Sequence, residues 1–336
     1  MHLLVGNPTA QSGRNQERIS RARELLDMLG LRHELLATQP AGATVGLVAA
    51  AARTGKYDTI VAMGGDGTFR EVGAGILDSG CPVVMGMLPT GTANDQGRSF
   101  GMSAAAEALD HNVATLAERH IVPLDGGRLL PLGGGPATWF FDSAGWGMSA
   151  RVLRWRNEDR AVVGQVPLLR ELYRDKFVYA GAVLQAFLAS YVQEQDFDCE
   201  VTTPAGTVQL GEITDLIVKN TRYYAGAWIF DETASPEDGL MELVPLRGRN
   251  ELIARAVLAH EEVPMFAEEL PEGLQLSEIL RAPWFELRFR ERGVPVESQV
   301  DGEEHPPGTE WRVEVVKHAI QLIVPATPTD GGPETQ

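Results

Sequence analysis

Apolar and polar positions fall into blocks along the first third of the chain, and these blocks predict strands followed by helices. Residues 59–63 form an apolar run with β-branched content, whereas residues 69–77 carry apolar side chains at helical spacing. Short strands are also predicted at 2–5, 32–37 and 82–88, with helices after the first two of them. Strands that alternate with helices indicate a mostly parallel sheet covered on both faces, with the ligand crevice at the carboxyl ends of its strands.

The pattern changes from about residue 121. Pro and Gly cluster between residues 123 and 136, and the segments that follow are short and alternate between apolar and polar residues. This favours an antiparallel β-sandwich interrupted by helices near 149–156, 165–195 and 250–268. The predicted strands of this part are 138–142, 197–203, 207–210, 215–218, 241–245, 284–289 and 294–300, followed by 320–325.

Two domains are therefore predicted, an α/β domain over residues 1–122 and a β-sandwich domain over residues 123–317. A last strand is predicted near 318–325, and whether it pairs with the sheet of the first domain is left open. Residues 327–336 are rich in Pro, Gly, Thr and acidic residues, which predicts a disordered tail.

Charge and composition narrow the classes of partner. The net charge of −17 argues against nucleic acid and weakens electrostatic docking on an anionic membrane. No apolar segment reaches the roughly 20 residues of a bilayer span, and no signal peptide is recognisable, so we expect a cytoplasmic protein without a transmembrane segment. Its 2 cysteines are too few for a zinc site or a disulfide framework.

The first candidate site follows the strand at 59–63, where residues 64–68 read Gly-Gly-Asp-Gly-Thr. Glycines allow close backbone approach, and the start of the next helix favours an anion, so a phosphate is the expected guest. Thr68 and Glu71 have the spacing of a capping box for that helix. Asp66 beside a phosphate requires a cation between them, which suggests Mg²⁺. The alternative is a tight turn whose Asp accepts backbone N–H groups.

A second turn of the same kind follows the strand at 82–88, where residues 89–95 read Pro-Thr-Gly-Thr-Ala-Asn-Asp. Two such turns at adjacent strand ends would face one another across a crevice. Thr92 and Asn94 can donate to phosphate or ribose oxygens, and Asp95 can hold a metal-bound water. The alternative is an ordinary helix start with Asn94 or Asp95 as its cap.

Two acids near the end of the chain complete the set of groups that phosphoryl transfer needs. Asp301 and Glu303 flank Gly302 after the alternating run at 294–300, and either is a plausible general base if the turn projects it into the crevice. Spacing alone does not choose between them, and a hairpin with solvated acids remains the alternative.

With these motifs in order, the chain resembles the diacylglycerol kinase catalytic-domain family of lipid kinases, in its bacterial form. The matching stretches are Asn7-Pro8 with Ser12-Gly13, the two glycine turns, residues 235–240 and residues 300–303. The resemblance implies an α/β domain of the phosphofructokinase and NAD-kinase type, a β-sandwich domain, and ATP with Mg²⁺ between them.

The resemblance also implies roles for individual residues. Glu303 would take the proton from the lipid hydroxyl, with Asp301 and Asp66 as the other catalytic candidates. A structural Mg²⁺ would be bound by Ser235, Asp238 and Leu240, although residues 235–239 also suit a type I turn. The expected nucleotide contacts are Thr38, Gly65, Asp66, Gly67, Thr68, Phe69, Arg70, Glu71, Thr92, Asn94 and Asp95.

The function expected from this resemblance is an ATP-dependent lipid kinase of phospholipid metabolism, which transfers the γ-phosphate to a hydroxyl of diacylglycerol or a related lipid. It would meet its lipid at the inner face of the membrane, and a homodimer is left open. Two alternatives stay open as well: a kinase of a soluble acceptor, as in NAD kinases, and a non-catalytic sensor that binds lipid or nucleotide.

Overall fold

The computed structural model of the chain describes most of the two predicted parts. The described residues are 1–8, 14–91, 94–158, 196–225, 228–248, 251, 254–255, 276–290 and 296–326. The predicted helix at 165–195, most of that at 250–268 and the predicted tail at 327–336 lie outside them. Among the described residues, no helix is long and apolar enough to cross a membrane.

The first part of the chain alternates strands with helices, as the apolar pattern predicts. Its four strands pair in parallel in the order β2-β1-β3-β4. Its elements are β1 (His2–Gly6), α1 (Arg14–Met28), β2 (His33–Ala37), α2 (Ala43–Arg53), β3 (Thr59–Gly64), α3 (Asp66–Ser79), β4 (Val84–Pro89), α4 (Asp95–Ser99), a 3₁₀ turn (Ala106–Ala108) and α5 (Leu109–Glu118).

Both faces of this parallel sheet are buried, which explains why its strands read as continuous apolar runs. Ile60 and its neighbours on one face pack with α2 and α3, and Val61 on the other face packs with α1 and α5. The carboxyl ends of β1, β3 and β4 therefore lie along one edge of the sheet, with a polar turn after each of them.

The second part of the chain is rich in β-strands. A core of large side chains, among them Phe140, Trp146 and Phe285, lies within it. Its elements are β5 (Ile121–Pro131), β6 (Thr138–Phe140), β7 (Ser143–Gly147), α6 (Met148–Glu158), β8 (Phe197–Thr203), β9 (Gly206–Lys219), β10 (Tyr223–Tyr224), β11 (Trp228–Ile229), β12 (Met241–Arg247), β13 (Leu280–Ala282), β14 (Trp284–Arg290), β15 (Val296–Val300), β16 (Glu303–Gly308) and β17 (Glu310–Ile323).

Strand β17 connects the two parts. It pairs with β14 and β5 in antiparallel fashion, and its end pairs in parallel with β4, where Leu322 lies opposite Met85. The Pro- and Gly-rich segment at which we expected a change of domain is therefore largely the strand β5. Glycine is needed there because a side chain at Gly127 would collide with the ring of Phe140.

Candidate functional site

The first glycine turn forms the junction between β3 and α3. The helix begins at Asp66 with Gly65 as its N-cap, and no side chain caps it. The predicted capping box is therefore wrong: Thr68 lies inside the first turn, where it packs back against Gly64, and Glu71 lies beside Thr44 instead. The helix start is left with backbone groups and glycines at the sheet edge, which suits an anion.

The second turn lies in direct contact with the first. Thr90 donates its backbone N–H to the carbonyl of Gly64 (2.9 Å), and a Cβ at Gly91 would lie 2.5 Å from the Cα of Gly65. The side chain of Asn94 closes this turn, because it accepts from the N–H of Gly91 (2.9 Å) and donates to its carbonyl (2.6 Å). Asn94 thus shapes the turn rather than pointing outward, and Thr92 lies outside the described residues.

Asp66 links the two turns. Its carboxylate accepts the backbone N–H of Gln96 (3.1 Å), in the first turn of the short helix α4, where Asp95 is buried. Burial and the negative charge of Asp142 raise the pKa of Asp66 to about 6. The turn therefore holds a carboxylate that a cation would stabilise in its charged form.

The late acidic pair lies on the hairpin between β15 and β16. Asp301 and Gly302 both have positive φ, 47° and 73°, and Val300 lies opposite Glu303, which is the two-residue Asp-Gly hairpin turn. Asp301 is only 3% exposed, and its carboxylate accepts the backbone N–H groups of residues 141, 142 and 143. Burial, followed by the charge of Asp142, raises the pKa of Asp301 to about 7. Asp301 therefore stabilises the hairpin through these backbone hydrogen bonds.

Glu303 reaches the first glycine turn. Its side chain is 54% exposed and forms an ion pair with Arg70, which is on the first turns of α3. The carboxylate also lies against Gly67, where any side chain would collide with it. The structure thus distinguishes the two acids that spacing left equivalent: Glu303 lies beside the glycine turns, and Asp301 is buried behind it.

Three other predicted nucleotide contacts lie elsewhere or point elsewhere. Phe69 is 3% exposed and packs edge-on against Phe141, so its side chain lies in the core and its contact with ATP stays a prediction. Glu71 is directed towards Thr44 of α2, and burial raises its pKa. Thr38 follows β2, on the far side of β1 from the first turn, and donates its N–H to the carbonyl of Gly6 (3.1 Å).

Sequence reasoning missed two residues behind the turns. Asp142 accepts hydrogen bonds from Lys219 (2.7 Å), Thr221 (2.5 Å) and Ser143 (2.8 Å), and both ends of the Asp142–Lys219 ion pair are buried. Each residue ends an apolar run, Asp142 after β6 and Lys219 at the end of β9. A charged residue at the end of an apolar run was the only sign in the sequence that could have drawn attention to them. The sequence does not reveal that the two meet.

The residues expected to bind a structural Mg²⁺ are already engaged with the protein. Oδ1 of Asp238 accepts the N–H of Leu240 (2.8 Å), and Oδ2 accepts a guanidinium N–H of Arg281 (2.8 Å). Within the described part of the chain, no three His, Cys, Asp or Glu side chains converge as a metal site. The Asp238 carboxylate, which would anchor the ion, therefore does not fit a dedicated metal centre, and the assignment of Ser235 and Leu240 stays a prediction.

A catalytic Mg²⁺ has different requirements, because it keeps waters and phosphate ligands and needs only one or two carboxylates. Asp66 meets them, since it is a carboxylate of raised pKa at the helix start that would face the phosphates. The donor set present thus fits a cation that arrives with a nucleotide.

Comparison with known proteins agrees with the sequence motifs. Residues 1–129 match the family model of the diacylglycerol kinase catalytic domain, which confirms the predicted resemblance. A protein of Pseudomonas fluorescens named "Probable lipid kinase YegS-like" is 26% identical over 294 residues, covering 85% of this chain and 84% of that protein. A diacylglycerol kinase of Staphylococcus aureus is 31% identical over 127 residues, covering 38% of this chain and 39% of that protein.

The fold also has a solved relative. The crystal structure of a diacylglycerol kinase from Bacillus anthracis matches with a TM-score of 0.70 at 18% identity, covering 97% of each chain. At this identity the match establishes only the fold, an α/β part followed by a β-rich part. The function has to be argued from the residues of the site.

Proposed function

We propose that this chain is an ATP- and magnesium-dependent kinase that phosphorylates a hydroxyl of a lipid, with diacylglycerol or a related lipid as the acceptor. The observation that carries the proposal is the contact between Glu303 and the start of α3. Arg70 and Glu303 are 233 residues apart in the chain, so it is the fold that brings the candidate base to the first glycine turn. The names of the similar proteins support the lipid class of the acceptor.

The two glycine turns would hold the phosphates of the nucleotide. Gly65 and Gly91 have no side chains between them and any ligand, and the start of α3 adds the positive end of a helix dipole. Asp66 would share a Mg²⁺ ion with the phosphates. That ion, when bound, offsets the negative charge of the phosphates and of the carboxylate.

Glu303 would act as the general base. It accepts the proton of the lipid hydroxyl while the hydroxyl oxygen bonds to the γ-phosphorus and the bond from that phosphorus to the ADP oxygen breaks. Arg70 holds the Glu303 carboxylate at the turn, and its own charge is suited to the transferred phosphoryl group. Asp301, fixed by backbone N–H groups, sets the hairpin from which Glu303 projects.

The architecture is compatible with this chemistry. We assign the first part to the phosphofructokinase and NAD-kinase type of α/β domain, and the β-rich part to the sandwich that would supply the acceptor side of the cleft. A lipid acceptor would bring the protein to the inner face of the membrane as a peripheral enzyme.

The test is transfer of labelled phosphate from ATP to lipids in detergent micelles, over a panel of lipids with a free hydroxyl that includes diacylglycerol. We expect a phosphorylated lipid with the native chain and a loss of about 10²-fold or more in turnover with Glu303→Gln. Glu304→Gln, the same change one residue further along, serves as the matched control and should leave turnover nearly unchanged. ATP binding should persist in both variants, because neither residue belongs to the glycine turns.

Three results would contradict parts of this proposal. Full turnover by Glu303→Gln would reject the assigned base. Transfer to NAD with no transfer to any lipid would make the acceptor a soluble one. Tight binding of ATP with no transfer to any acceptor would indicate a sensor instead of an enzyme.

A further inference from the structure

The loop between β11 and β12, residues 230–240, is held by the protein's own cations. Arg281 on β13 donates to Oδ2 of Asp238 (2.8 Å) in the loop and to Oε1 of Glu242 (3.1 Å) on β12. A third guanidinium nitrogen donates to the hydroxyl of Thr233 (3.3 Å). One guanidinium group thus connects the two ends of the loop and the strand that follows it.

The register of the sheet fixes Arg281 in this place. Strands β12 and β13 are antiparallel, and Glu242 lies directly opposite Arg281 in the ladder. The side chain of Glu242 is buried, and its ion pair with Arg281 holds the guanidinium group in a defined position. A planar group with five N–H donors can serve several acceptors at once, which a point charge cannot do with the same geometry.

A second cation approaches the same loop from β17. The ammonium group of Lys317 lies 3.4 Å from the carbonyl oxygen of Asp238, and its side chain packs against Gly239. Two positive side chains therefore contact Asp238, one at its carboxylate and one at its carbonyl. A divalent cation placed here would be repelled by both.

The backbone of the loop is fixed independently. The buried carboxylate of Asp125 on β5 accepts the N–H of Gly239 (2.7 Å) and that of His318 (2.6 Å). The N–H of Asp125 in turn donates to the carbonyl of Pro236 (2.7 Å). These bonds close the loop onto β5 and β17 without metal coordination.

From these contacts we infer that the guanidinium group of Arg281 takes the structural place of a divalent cation at the loop of residues 230–240, so that the folded chain needs no metal there. Mg²⁺ requires about six oxygen ligands in near-octahedral geometry, whereas the carboxylate that would anchor it here is already bound on both oxygens. This inference does not depend on the kinase assignment.

The first experiment measures thermal unfolding of the purified chain without nucleotide, in EDTA and in millimolar Mg²⁺, alongside Asp238→Asn. The shift produced by Mg²⁺ should be the same in both proteins, since any cation that binds at the glycine turns affects both equally. Elemental analysis of the purified chain should find no stoichiometric metal. A larger Mg²⁺ shift in the native chain than in Asp238→Asn, or a metal that co-purifies with the native chain and is lost in Asp238→Asn, would overturn the inference.

The second experiment tests the role of the arginine directly. Arg281→Ala should lower the melting temperature by ~4 °C or more, because it leaves Glu242 buried and unpaired. Arg288→Ala is the matched control, since Arg288 lies on β14, the next strand along the chain, in exposed ion pairs with Glu200 and Glu286. Equal effects of the two substitutions would overturn the inference. If Arg281→Ala does not fold, the comparison of the native chain with Asp238→Asn decides.

Discussion

At the scale of single residues, burial distinguishes side chains that the sequence presents as equivalent. The sequence offers Asp301 and Glu303 as two acids around one glycine. In the folded chain Asp301 accepts three backbone N–H groups, and Glu303 is exposed at the first glycine turn. The Asp-Gly turn and its spacing predicted that one of these two acids is the general base. They did not predict which one, because that depends on contacts with residues 67–70 and 141–143.

The raised pKa of Asp301 gives a testable pH dependence of stability. Burial and Asp142 raise this pKa to about 7, whereas the group has its ordinary pKa of about 4 in the unfolded chain. Between these values the folded protein retains a proton that the unfolded chain has released, so stability falls as pH rises through this window. The largest slope for one such group is about 1.4 kcal/mol per pH unit.

We expect Asp301→Asn to reduce this slope but not to abolish it, because Asn is neutral at every pH in the window whereas the pKa values of Asp66, Asp215 and Glu242 are raised as well. The measurement is urea unfolding of both proteins at a series of pH values from about 4 to about 8. Asp78→Asn, a change of the same kind at an exposed position, is the control and should retain the native slope. An unchanged slope in Asp301→Asn would mean that this carboxyl does not titrate as its burial requires.

At the scale of elements, the pattern of apolar runs predicted the strands and helices of the first part but not their detailed junctions. The helix after β3 begins at Asp66, so Gly65 is its cap and Thr68 is not. Strand β5 is not among the predicted strands, because Pro123, Gly126 and Gly127 interrupt its apolar pattern. Gly127 is required by the ring of Phe140 on the paired strand β6, and such a tertiary contact leaves no local signal.

The contact between the two glycine turns predicts the effect of a single methyl group. In Gly91→Ala, the Cβ would lie 2.5 Å from the Cα of Gly65, which is backbone and cannot rotate away. The two turns must therefore separate, and we expect phosphate transfer to fall by about 10²-fold, the cost of misplacing a substrate by about an ångström. The measurement is kcat/KM for ATP, together with a melting curve.

Gly133→Ala is the control for this prediction, because nothing lies within 4 Å of the Cβ that it would add. It should retain native kinetics. Native kcat/KM in Gly91→Ala would show that the two turns need not be in contact for the reaction.

At the scale of the whole molecule, the two parts of the chain are joined by strand β17, and a buried polar network of the second part lies beside the glycine turns. Strand β17 pairs with β4 of the first part and with β5 and β14 of the second. Asp142 lies near Asp66 of the first part and is bonded by Lys219 of the second. Apolar periodicity predicted both parts, but not this buried pair, because Asp142 and Lys219 are 77 residues apart and each reads as an ordinary strand end.

The contribution of the buried pair can be tested by removing one of its partners. Lys219→Met keeps much of the volume of the side chain but leaves Asp142 charged and unpaired, which should cost about 3–5 kcal/mol of unfolding free energy. The double variant Lys219→Met/Asp142→Asn should lose less unfolding free energy than the two single variants lose together, because each single change leaves the other residue buried without its partner. Lys56→Met, which removes an exposed ion pair with Glu34, is the control and should change little. Urea unfolding of the four variants gives the coupling, and strict additivity would mean that Asp142 and Lys219 do not stabilise one another.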